Sequence, residues 1–133
     1  MKKSLFILLF SVSLTPRLFA DVVVIAHQNV PKMDVKTVGK VFTGKVTTVS
    51  GSVISAVNQK NQNVKNKFLQ NFVGLDEEKY IAYWTVRKYI GKGVPPKELS
   101  SSEEVIRYVQ ATPGAIGYID DSDLKNGLNI VAR

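Results

Sequence analysis

The chain has no cysteine, one histidine (His27) and one tryptophan (Trp84). Without cysteine there is no disulfide, no thiolate metal site and no lipid-modified N-terminal cysteine, so the protein is not expected to be lipid-anchored. One histidine is too few for a transition-metal site of the usual kind. A Ser-His-Asp triad would have to use His27, and no Gly-x-Ser-x-Gly stretch supplies the nucleophile. Enzymatic activity, a cofactor and a metal are therefore all unexpected. The sequence also lacks an apolar run long enough to span a bilayer, because Leu5–Leu14 gives way to Pro16 and Arg17.

That short run has a different reading. Lys2 and Lys3 form a positive start, Leu5–Leu14 an apolar middle, and Leu18-Phe19-Ala20 a cleavage region before Asp21. Residues 1–20 are read as a cleaved signal peptide, and residues 21–133 as a single domain exported to the periplasm. The net charge of +7 for the full sequence then falls: 18 basic residues less Lys2, Lys3 and Arg17 leaves 15 against 11 acidic, a net +4. A mild excess on an exported chain points to small anions or acidic surfaces as partners and away from nucleic acid.

The domain alternates strands and helices. Asp21–His27 is a β-branched run that predicts a strand buried on both faces, as in a parallel sheet. Asp34 caps a helix striped by Val35, Val38, Val41 and Phe42, and Gly44 ends it. A connector over Val46–Ser52 leads to a second strand, Val53–Val57. Asn58–Asn63 then opens a helix with Val64, Phe68, Leu69, Phe72 and Val73 on one face. Asp76 caps a third helix carrying Tyr80, Tyr83, Trp84 and Tyr89; beside Ile81 and Ile90, this aromatic set is expected in the core rather than as a stacking platform. Gly91–Lys97 is a loop by composition, and its Lys92 and Lys97, with Lys88, form a basic rim that is solvated or docks an acidic partner. Ser101 and Glu104 have capping-box spacing and start a fourth helix. Pro113-Gly114 breaks it ahead of a buried strand, Ala115–Ile119, whose small residues predict close packing of a helix. The acidic turn Asp120, Asp121, Asp123 precedes a last strand, Leu128–Val131; it lacks the remainder of a calcium loop. This order predicts an α/β layer fold with a mostly parallel sheet flanked by helices.

Several of these stretches carry a resemblance. Thr112–Ile119, Thr-Pro-Gly-Ala-Ile-Gly-Tyr-Ile, resembles a motif near the C-terminus of phosphate-type periplasmic substrate-binding proteins. Val41-Phe42-Thr43-Gly44-Lys45 is similar to that family's Ile-Phe-x-Gly-Lys, and Val57-Asn58-Gln59 with the helix bearing Phe68 to its strand, ligand loop and helix. Tyr83-Trp84, Gly91-Lys92-Gly93 and Pro95-Pro96 are similar to the short, single-lobe relatives. The resemblance implies one lobe of the type II periplasmic binding fold, service to an ABC transporter, and phosphate or a similar oxyanion as ligand.

The ligand is expected where strands end and a helix N-terminus offers free N–H groups, at Asn58, Gln59, Lys60, Asn61, Asn63 and Val64. Thr43 and His27 are placed on the same edge, although a loop-packing or solvated role is the plainer reading of His27. The chain departs from the family here. Gln59 stands where an Arg is expected, and Asn61-Gln62-Asn63-Val64 replaces a Ser-Gly-Thr, so binding is expected to be weak. A plain polar loop with an asparagine cap is the structural alternative. Two functions follow: a non-enzymatic solute-binding-like protein, or an envelope interaction protein that kept the fold, lost the ligand and docks on a membrane complex. Self-association would let two single lobes face each other.

Overall fold

The computed structural model describes residues 21–133. The expected signal segment, residues 1–20, lies outside the described residues. Three helices begin where the sequence places a cap. Asp34 Oδ1 accepts from the Thr37 N–H at 2.7 Å and opens α1 (Val35–Phe42). This hydrogen bonding to Thr37 holds the Asp34 carboxyl below its ordinary range. Asp76 Oδ1 accepts from the Lys79 N–H at 2.8 Å and opens α3 (Glu77–Tyr89). Ser101 Oγ accepts from the Glu104 N–H at 3.2 Å, opening α4 (Ser102–Ala111). Glu104 reaches back one residue further than a standard capping box, accepting from the Ser100 N–H at 2.6 Å.

Five strands form one sheet in the order β5 (Lys97–Leu99), β4 (Ser55–Gln59), β6 (Ala115–Asp120), β1 (Val22–Ala26), β7 (Asn129–Ala132). β4 runs parallel to β5 and to β6, while β1 runs antiparallel to both β6 and β7. Four of the five strands therefore point one way and β1 points the other. A small hairpin, β2 (Thr48–Val49) with β3 (Ser52–Val53), stands apart from this sheet.

The period-2 alternation of β1 and β6 divides the interior into two cores. Val22, Val24, Ala26, Ile116 and Tyr118 face α1, α3 and α2 (Gln62–Phe68). Val23, Ile25 and Ile119 face α4, with Val105, Ile106 and Val109. The first core is aromatic at its centre. Phe68 stacks on Tyr118 with ring centroids 3.9 Å apart, and Phe42 meets Phe68 edge-on at 4.5 Å. α2 continues into one π-helical turn, Leu69–Val73, which carries Phe72 onto the same cluster. α1 approaches this turn closely at Gly39, where a side chain would strike the Phe72 carbonyl.

Three expectations are corrected. β1 is buried on both faces as predicted, but because helices cover both sides of the sheet, not because it has parallel neighbours. The loop read over Gly91–Lys97 ends in a strand: Lys97 begins β5, which pairs with β4. On α3 only Tyr80 and Trp84 are buried and Tyr83 partly so; Tyr89, Ile81 and Ile90 face outward. No helix among the described residues is long and apolar enough to cross a membrane.

Candidate functional site at the end of the central strand

β4 delivers Asn58 and Gln59 to the carboxyl edge of the sheet, and the chain turns there into α2. Both side chains are buried and engaged inward. Tyr118 OH donates to Asn58 Oδ1 at 3.0 Å, Asn58 Nδ2 donates to Tyr80 OH at 3.2 Å, and Tyr80 OH donates to the Phe42 carbonyl at 2.7 Å. Trp84 Nε1 donates to the same carbonyl at 3.3 Å. Burial raises the Tyr80 and Tyr118 hydroxyls above the ordinary tyrosine range, so both remain neutral donors. Gln59, 1% exposed, donates from Nε2 to the Tyr118 carbonyl at 2.8 Å and to Ser102 Oγ at 3.2 Å. Its Oε1 is buried without a hydrogen-bond partner. Gln59 thus ties β4 to β6 and to the start of α4. An arginine at this position would carry its charge into that interior.

The turn itself is exposed. Lys60, Asn61, Gln62 and Asn63 face solvent, with the Lys60 N–H donating to the Leu99 carbonyl at 2.9 Å. Asn61 Oδ1 accepts from the N–H groups of Asn63 (3.1 Å) and Val64 (3.3 Å). These are N–H groups that an anion at the helix start would use, and the Asn61 side chain already holds them. Val64 is buried and contributes packing, with its backbone N–H the only part turned to the cap.

Of the two remaining expected residues, His27 is placed elsewhere, while Thr43 follows Phe42, whose carbonyl ends the Asn58–Tyr80 link. The His27 N–H donates to the Ala115 carbonyl at 2.9 Å, and Ala115 pairs with Ser55, the first residue of β4. His27 therefore lies at the opposite edge of the sheet from Gln59, a direct result of the reversed direction of β1. Its ring meets Asn29, with Nδ1 2.8 Å from Asn29 Oδ1. Thr43 is buried; its hydroxyl donates to the Gly39 and Lys40 carbonyls inside α1, and its carbonyl accepts from Tyr83 OH at 2.6 Å.

Residues that the sequence did not place at the site complete the surroundings. Lys65, 3% exposed, places Nζ 3.1 Å from Glu98 and 3.5 Å from Glu77. Beside it lies a cleft of about 400 Å³, floored by Asn58, Lys65 and Tyr80 and walled by Trp84, Pro95 and Pro96. Glu98 and Glu77 offset the Lys65 charge, while Lys88 also lines the cleft. The only sequence signal for Lys65 was its place between Val64 and Phe68 on an apolar helix face. No group of three or more His, Cys, Asp or Glu able to hold a metal occurs among the described residues.

No protein-family model matches the chain, and no curated protein matches its sequence. Solved structures do match. A phosphate ABC transporter substrate-binding protein with bound phosphate from Clostridium perfringens superposes with a TM-score of 0.64 at 21% identity, over 84% of this chain and 44% of its own. An ABC-type phosphate transport receptor from Vibrio cholerae gives 0.60 at 13% identity, over 84% and 45%. PstS from Borrelia burgdorferi gives 0.60 at 19% identity, over 85% and 47%. The chain has the fold of one part of a phosphate-type substrate-binding protein. It spans just under half the length of each of these structures.

Proposed function

We propose that the protein is a non-enzymatic, solute-binding-like protein of the phosphate-binding type, exported to the periplasm by residues 1–20. It takes a phosphate-like oxyanion weakly at the β4–α2 turn. The reading is carried by the position of this turn, at the carboxyl end of β4 with helix N–H groups and Lys60 beside it, in a fold shared with a protein solved with phosphate bound. Affinity is low because the ligand must displace Asn61 Oδ1 from the Asn63 and Val64 N–H groups.

A second reading is favoured by a specific observation: Asn58, Gln59 and Lys65 are all buried and bonded within the protein. It makes the chain an envelope adaptor that kept the fold, lost the ligand and docks on a membrane complex. Titration calorimetry of residues 21–133 with phosphate at low salt, with sulfate as control, separates the two. Saturable heat that is lost in Lys60→Ala supports the oxyanion reading. A flat trace from a folded protein leaves the adaptor reading.

A further inference from the structure

Among the described residues, seven large apolar side chains are exposed, and five of them, Ile81, Val86, Tyr89, Ile90 and Val94, lie on the outer face of α3 and the loop that follows. Tyr89 is 91% exposed and Val94 73%. The loop is nonetheless firmly held. The Gly91 N–H donates to the Lys88 carbonyl at 3.1 Å and the Lys92 N–H to the Arg87 carbonyl at 2.8 Å. Arg87 lies 5.6 Å from the Tyr83 ring and 5.8 Å from the Trp84 ring, and donates to the Gly44 and Lys92 carbonyls. The projecting side chains are thus presented by an anchored tip.

The charge of this segment is one-sided. Lys79–Lys97 contains five basic residues and no acidic one, whereas the rest of residues 21–133 has 10 basic against 11 acidic. Lys88, Lys92 and Lys97 are exposed around the apolar tip. Its side chains project, Tyr89 and Val94 most of all, and suit a soft surface that admits protruding groups. A tyrosine and aliphatic side chains ringed by lysines match a bilayer interface: the apolar groups enter the headgroup–acyl boundary and the ammonium groups meet lipid phosphates.

We propose that the end of α3 and its loop, Tyr89, Ile90 and Val94 with Lys88 and Lys92, dock this protein on an anionic phospholipid surface. This inference requires no ligand at the β4–α2 turn.

The test is co-sedimentation of residues 21–133 with vesicles of phosphatidylglycerol and phosphatidylcholine in equal parts, against vesicles of phosphatidylcholine alone. Each lysine near an anionic surface strengthens partitioning about fivefold, so Lys88→Gln with Lys92→Gln should weaken it roughly 25-fold. Tyr89→Ser with Ile90→Ser, which removes the inserted groups and keeps the charge, should weaken it about tenfold or more. Circular dichroism confirms that both variants stay folded. Binding that requires the anionic lipid, falls with added salt and drops in both variants is the expected result. No binding, binding without lipid preference, or binding unchanged by either pair of substitutions overturns the proposal. So does a concentration-dependent dimer that Tyr89→Ser dissociates while vesicles remain unbound, because a second copy would then cover the face.

Discussion

Replacing Asn61 by glycine should tighten oxyanion binding. In the wild type, Asn61 Oδ1 holds the Asn63 and Val64 N–H groups at 3.1 and 3.3 Å, and an incoming anion needs those donors. Against glycine, which leaves these N–H groups to water, an asparagine cap is worth a few tenths of a kcal/mol, and displacing it costs the ligand that amount, a factor of up to about two in affinity. The helix loses equally little in Asn61→Gly, so the fold should survive. Titration calorimetry with phosphate at low salt should then give a dissociation constant up to about twofold lower for Asn61→Gly than for the wild type. Sulfate should follow the same order, because backbone N–H groups do not require a protonated oxygen. A weaker or unchanged constant in the folded variant would refute the reasoning, either because Asn61 is itself a ligand or because the anion binds elsewhere.

Other consequences can be checked independently of any ligand. Lys65→Met removes the cation between Glu77 and Glu98 and leaves two carboxylates facing each other; because both are partly exposed, the cost is about 1–2 kcal/mol, read from urea unfolding. Gly117→Ala brings a methyl group to 2.7 Å from Val105 Cγ1 and 3.0 Å from Val57 Cγ2, so β6 and α4 must separate, at about 1–3 kcal/mol by the same measurement. Tyr80 and Tyr118 have raised folded-state values, so the stability tied to their neutral forms is complete below about pH 10, where an unfolded tyrosine titrates, and is lost as pH climbs above that. Ultraviolet titration of the five tyrosines should show two that ionise only as the fold opens, and one such group fewer in Tyr118→Phe.

What could be read from the sequence was local. Asp34, Asp76 and Ser101 each cap a helix because a short acceptor side chain satisfies N–H groups two or three residues on, and that needs no tertiary information. The direction of β1 was not readable. Val22–Ala26 is apolar at every position because helices lie on both faces of the sheet, and the same burial arises beside parallel or antiparallel neighbours. That one reversal moved His27 to the far edge. β5 escaped notice because three residues, one of them buried, show no periodicity. The site was half visible. The turn at Asn58–Val64 follows from a strand ending where a helix begins, but the links from Asn58 to Tyr80 and Tyr118 join residues 22 and 60 positions apart. The outward face of α3 was misread because an apolar residue at helical spacing is core only if another element covers that side, and nothing among the described residues covers Ile81, Tyr89 or Ile90.

The turn and the basic tip belong to opposite ends of one helix, and this makes their properties separable. Glu77, at the start of α3, reaches Lys65 and Gln62 beside the β4–α2 turn, whereas Tyr89 closes the same helix. Twelve residues of helix span about 18 Å, roughly twice the screening length at physiological salt. Lys92, past the end of α3, therefore contributes little to the potential at the turn, whereas Lys88 lines the cleft that also holds Asn58 and Lys65. Phosphate affinity of Lys92→Gln should stay within about twofold of the wild type at physiological salt, and Asn61→Gly should partition to anionic vesicles as the wild type does. If Lys92→Gln abolishes phosphate binding in a folded protein, the anion site belongs to the α3 tip, and the β4–α2 turn is then only a capped loop.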